Sequence, residues 1–86
     1  MPELSRFYGI VIRMYFGDHN PPHFHAYYGG AKAVFDIQSI DIIDGNIPTR
    51  AAKLVEEWAR LHRVELEAAW KQAVALQQPD RIDPLP

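Results

Sequence analysis

The chain has 86 residues, with 9 basic and 11 acidic side chains and a formal net charge of −2. It is 48% hydrophobic and 12% aromatic, enough for one packed core and too apolar for a disordered tail. It has no cysteine, which excludes disulfides, thiolate metal ligands and thiol nucleophiles. The acidic balance is the opposite of an electrostatic nucleic-acid binder's. No run nears the ~18 consecutive apolar residues of a membrane span. Residues 1–6 (MPELSR) include an acid and no apolar stretch, so no secretory signal is expected. The expected product is a single domain over residues 1–86, located in the cytoplasm.

The first half reads as β, over about residues 6–44. Residues 7–16 (FYGIVIRMYF) are rich in aromatic and β-branched types and predict a strand. Its even positions, Tyr8, Ile10, Ile12, Met14 and Phe16, form the expected core face. The segment GDHNPP (17–22) is a loop, because two prolines cannot donate to a ladder. The runs HFHAYY (23–28) and AKAVFDI (31–37) flank Gly29-Gly30, a strong signal for a tight hairpin. A two-residue turn pairs Tyr28 with Ala31, His25 with Val34, Phe24 with Phe35 and His23 with Asp36. Alternation then places Phe24, Ala26, Ala33, Phe35 and Ile37 on a core face. His23, His25, Tyr27, Lys32, Val34 and Asp36 fall on the other. A short fourth strand is expected at residues 40–43, ending at Asp44-Gly45-Asn46.

The rest reads as helical, over about residues 47–78. Asn46 is the expected cap and Pro48 fits the first turn. Ala51, Leu54, Val55 and Trp58 form one apolar stripe; Leu66, Ala69, Trp70, Ala73 and Val74 form a second. One continuous helix would be about 46 Å long at 1.5 Å per residue, too long for so small a domain. A break near His62 is therefore expected. Residues 79–86, with three prolines, predict an irregular tail. The expected fold is α+β: an antiparallel sheet of three to four strands, followed by two C-terminal helices packed on one face. Both tryptophans are expected in the core, and the mixed charges around Arg50, Lys53, Arg60 and Arg63 on a solvated face.

The unusual chemistry lies in residues 18–25, DHNPPHFH, which hold three of the four histidines. His23 and His25 are two apart on a strand, so they share a face about 6.6–7 Å apart. Two imidazoles at that spacing can converge on one ion. His19 and Asp18 from the loop complete a candidate metal set of Asp18, His19, His23 and His25, suited to Zn, Ni, Mn or Fe. Asp36, across from His23, is placed either to join the set or to orient that ring. His23, His25 and Asp36 are the candidate catalytic residues. With Lys32 or Arg13 nearby, an imidazole can act as acid or base on a phosphodiester. The bland alternative is an exposed sheet face that binds nothing. The spacing Gly17-x5-His23-x-His25 also matches the start of a cupin metal motif. The cupin glutamate is replaced by Gly29 or Gly30, however, and the chain is too short for that eight-stranded fold.

Residues RFYGIVIRMY (6–15) and DHNPPHFHAYY (18–28) resemble a bacterial family, domain of unknown function 4160. Ala33 to Ile37, the Gly45–Pro48 turn and the spaced Trp58, His62, Glu65, Leu66 and Trp70 fit it too, so the resemblance runs over residues 4–76. The family has no established activity. The resemblance implies a small stand-alone bacterial protein, encoded beside a second small protein of the domain-of-unknown-function 2442 type, in pairs that look like toxin–antitoxin modules.

Three functional readings follow. The first is a protein-binding member of such a module, docking through a sheet edge or an aromatic face; open strand edges also allow a homodimer. The second is an enzyme, a ribonuclease-like toxin using the histidine face with or without a metal. The third is a DNA-binding regulator, resting on a helix–turn–helix reading around His62 and opposed by the acidic balance.

Overall fold

The computed structural model describes residues 3–86; the first two residues of the expected 1–86 domain lie outside the described residues. The chain runs β1 (Glu3–Phe7), β2 (Ile10–Arg13), β3 (His23–Tyr28), β4 (Ala31–Asp36), β5 (Ile42–Asn46), α1 (Thr49–Leu61) and α2 (Arg63–Val74). The strands form one antiparallel meander in the order β1-β2-β3-β4-β5, and both helices follow it. The α+β class and the two C-terminal helices are as expected; the sheet has five strands rather than three to four.

The extra strand comes from a hairpin that the sequence hides. Phe7 pairs with Ile10 across Tyr8-Gly9, which both have positive φ (50° and 79°). That is the backbone of a two-residue hairpin turn, usually built from Asn-Gly or Asp-Gly. The expected strand over residues 7–16 is therefore cut in two. Ile10, Ile12 and Met14 are buried as predicted, whereas Tyr8 and Phe16 are exposed. A bulge between Glu3 and Ser5 lets the adjacent Leu4 and Ser5 both be buried.

The β3–β4 hairpin has the predicted register in all six pairs, from His23↔Asp36 to Tyr28↔Ala31. Its core face is fully buried at Phe24, Ala26, Ala33 and Phe35, and Ile37 follows them inside. The next strand starts later than expected, at Ile42. The Asp36 carboxylate accepts the backbone N–H groups of Gln38 and Ser39 (2.8 and 2.9 Å), and Ile40 turns through φ 59° with its side chain buried. This tight turn takes Ile40 and Asp41 from the expected strand, and β5 runs on through Asp44-Gly45-Asn46, where the strand was expected to end.

Pro48, not Asn46, precedes the first helical residue. The Asn46 side chain accepts only from the N–H of Ile47, so it does not cap the helix. The break falls at His62, a single residue with φ −120° between α1 and α2. A helix–turn–helix has a three- to four-residue turn there. Trp58 packs its ring against Phe7 and Phe24 at 5.4 and 5.8 Å, seating α1 on the core face of the sheet.

The C-terminal segment is irregular but not loose. The N–H of Ile82 donates to the Leu4 carbonyl (2.8 Å), and the Trp58 indole N–H donates to the Asp83 carbonyl (2.8 Å). Ile82 and Leu85 are 4% and 7% exposed. The segment thus straps the outer edge of β1 and closes one end of the core. No helix is long and apolar enough to cross a membrane among the described residues.

Candidate functional site

His23 and His25 point to the same side of β3, opposite Phe24 and Ala26, as strand alternation requires. The loop after β2 then folds back over that side. The N–H of Gly17 donates to the carbonyl of Ala73 (3.1 Å), which fixes the loop to the end of α2 and sets Asp18 above the two rings. The Asn20–Pro21 peptide is cis, and the loop re-enters the sheet at His23.

Asp18, His23 and His25 offer three ligand atoms within 4.8 Å of one another. One Asp18 oxygen, Oδ2, lies 2.8 Å from His23 Nε2 and 3.6 Å from His25 Nε2. The other, Oδ1, accepts the N–H of His19 at 3.0 Å. His23 Nδ1 lies 2.6 Å from the carbonyl of Pro21. A carbonyl only accepts, so Nδ1 carries the hydrogen and Nε2 is the atom presented to Asp18.

Aromatic rings wall the cluster. Tyr15 meets His25 edge-on at 4.5 Å, and Trp70 lies against His23 at 5.1 Å. The imidazoles are consequently far from the exposed sheet face of the bland reading: their side chains are 11% and 16% exposed. Neither ring nitrogen of His25 has a hydrogen-bond partner, although both are buried. Leaving buried polar atoms unpaired costs roughly 1–3 kcal/mol each.

The electrostatics follow from this burial. Desolvation holds the His25 imidazolium below its ordinary range; the carboxylate of Asp18 works the other way and does not offset it. Burial pushes the Asp18 carboxyl up, but the His19 N–H and the two imidazoles outweigh it and hold the group below its usual value. Burial, then the hydrogen bond to Tyr27, raises the Tyr15 phenol. Beyond this pair, Arg13 lies directly across from His25 on β2, with its guanidinium 5.4 Å from the centre of the Tyr27 ring.

The structure brings together three of the expected site residues and leaves two outside. His19 contributes its backbone N–H to Asp18, but its side chain is exposed and outside the group of three. Asp36 pairs with His23 in register, yet its Oδ1 serves the turn after β4 and both nitrogens of His23 are engaged elsewhere. Sequence reasoning missed the Pro21 carbonyl and Trp70. Trp70 reads only as a core residue, because nothing in its helical stripe marks it as a neighbour of His23. Tyr27 was legible by alternation.

A family model, Domain of unknown function (DUF4160), matches residues 9–71. The chain belongs to this family. The DUF4160 region contains all of Asp18, His23, His25, Tyr15 and Trp70, and it ends before the C-terminal strap. No curated protein and no solved structure matches the chain.

Proposed function

We propose that this DUF4160 protein is a protein-binding member of a toxin–antitoxin-like two-gene module, and that its partner adds to the outer edge of β5. The observation that carries the reading is the unequal state of the two sheet edges. The β1 edge is strapped by the C-terminal segment through Ile82 and Leu4. The β5 edge has no described segment paired beyond it, and Ile43 on that strand is 49% exposed. An open edge offers backbone donors and acceptors to an incoming strand, and a neighbouring apolar side chain adds affinity. The partner of the expected kind is the small domain-of-unknown-function 2442 type protein encoded nearby.

Co-expression of the two proteins tests this. A stable complex is expected by size exclusion, and Ile43→Lys, which puts a charge on the exposed edge, is expected to weaken it at least tenfold while the protein stays folded. No complex, or a complex indifferent to Ile43→Lys, overturns the reading.

A second reading, a histidine-dependent ribonuclease-like toxin, is favoured by one feature: the buried, unpartnered imidazole of His25 beside Asp18. A neutral imidazole held next to a carboxylate can take a proton from a hydroxyl. Host toxicity and RNA cleavage are then expected to fall in His23→Ala and His25→Ala. Wild-type behaviour of both variants ends this reading.

A further inference from the structure

Three facts about the histidine cluster are unexplained by protein–protein docking. His23 Nε2 faces a carboxylate oxygen at 2.8 Å while its hydrogen is spent on the Pro21 carbonyl. In a neutral ring of that tautomer two lone pairs would face each other, so a positive species lies between them, either a second ring proton or a metal ion; a proton there answers only this first fact. His25 Nε2 faces the same oxygen at 3.6 Å, too far for a hydrogen bond, and is unpartnered. The remaining oxygen of Asp18 is fixed by the His19 N–H.

We propose that Asp18, His23 and His25 form a mononuclear site for a divalent transition-metal ion, with zinc as the best fit. A single ion answers all three facts. It takes the Nε2 lone pair of His23, the carboxylate Oδ2 and the free Nε2 of His25. Two imidazoles and one carboxylate are a borderline donor set that suits zinc and its neighbours, and it contains none of the oxygen-rich character that calcium or magnesium needs.

The groups behind the ligands support the same assignment. A metal-bound imidazole characteristically donates its other N–H to a carbonyl or carboxylate, as His23 does to Pro21. The second oxygen of a ligating carboxylate is characteristically hydrogen-bonded, as Asp18 Oδ1 is. The ligands come from two segments, the loop after β2 and the strand β3. The ion would therefore tie the loop to the sheet as well as use the buried nitrogens. Three protein ligands leave a coordination position open to water or to an incoming group. His19 and Asp36 are not ligands in this assignment.

The experiment uses full-length protein purified without a histidine tag, treated with chelator and titrated with Zn2+ alone. Binding of one equivalent is expected, with the ring signals of His23 and His25 shifting together in NMR spectra while those of His19 and His62 stay in place. Asp18→Asn, His23→Gln and His25→Gln are each expected to weaken binding at least tenfold; His19→Gln is expected to bind as the wild type does. The wild-type NMR titration decides the matter even if a ligand variant fails to fold. Absence of stoichiometric uptake, or shifts at His19 and His62 in place of His23 and His25, overturns the proposal. Partner binding is read separately, so the failure of one proposal does not mask the other.

Discussion

Gly45 lies inside β5 at φ 69°, and a Cβ built there would meet the Lys32 carbonyl oxygen at 2.4 Å. Left-handed backbone already costs a non-glycine residue roughly 1–2 kcal/mol. The clash with neighbouring backbone adds to that, since β4 cannot step aside without losing its pairing. Gly45→Ala is expected to destabilise the fold by about 2 kcal/mol or more, measured as a shift in the urea midpoint. Gly29, whose Cβ would meet nothing, is the contrast: Gly29→Asn should be close to neutral there. His25 supplies the residue-scale pH dependence. Its folded-state pKa lies below the 6.5 of a free imidazole, because burial disfavours the charged ring. The contribution is therefore intact above about pH 6.5 and is lost as pH falls through the lower folded value. Asp18, also held low, adds a loss in the same direction below its ordinary 3.8. In chelator, the wild-type urea midpoint should drop between pH 7.5 and 5, and His25→Phe should flatten that drop.

At the scale of elements, the C-terminal strap does what a sixth strand would otherwise do. It covers the β1 edge, buries Ile82 and Leu85, and gives the Trp58 indole its acceptor. Buried polar groups without partners are costly, so the strap and α1 depend on each other. Ile82→Ala is expected to cost about 2–4 kcal/mol, within the range of buried isoleucine truncations. Deleting residues 82–86 should do more: it frees the β1 edge, and size exclusion should then show concentration-dependent self-association absent from the full chain. The single-residue joint at His62 has a similar logic. The His62 N–H donates to the carbonyls of Trp58 and Ala59 and its own carbonyl accepts from Leu66, so the break leaves few orphan backbone groups.

At the scale of the whole molecule, the metal assignment predicts a coupling between ion and fold. An ion that binds the folded chain alone stabilises it by about 2.7 kcal/mol at a concentration one hundred times its dissociation constant. For a domain of 86 residues this corresponds to a rise of roughly 10–20 °C in the melting temperature. Differential scanning calorimetry with Zn2+ and then with excess chelator should show the rise and its reversal. The same scan on Asp18→Asn, at the same Zn2+ concentration, should show a rise cut to about half or less.

The sequence by itself determined the parts that depend on local periodicity. Gly29-Gly30 and the alternation on either side of it were enough to settle the β3–β4 register, since a slip of one residue would bury His23 and His25 in place of Phe24 and Ala26. The apolar stripes located both helices, and the length of a continuous helix argued for a break near His62, where the structure has it. The spacing of His23 and His25 put two imidazoles on one side of one strand. Tertiary structure decided what lies far apart in the chain or runs against residue preference. Tyr8-Gly9 turns despite an aromatic residue at positive φ, and the Tyr8 hydroxyl donates to the Pro86 carbonyl, 78 residues away. Asp36 was taken by a turn that begins only where β4 ends. The choice of Asp18 over His19 followed from the anchor between Gly17 and Ala73, a contact between a loop and a helix end that no local pattern encodes. Side-chain period and turn chemistry are written in neighbouring residues, whereas which loop atom reaches a strand depends on how the whole core closes.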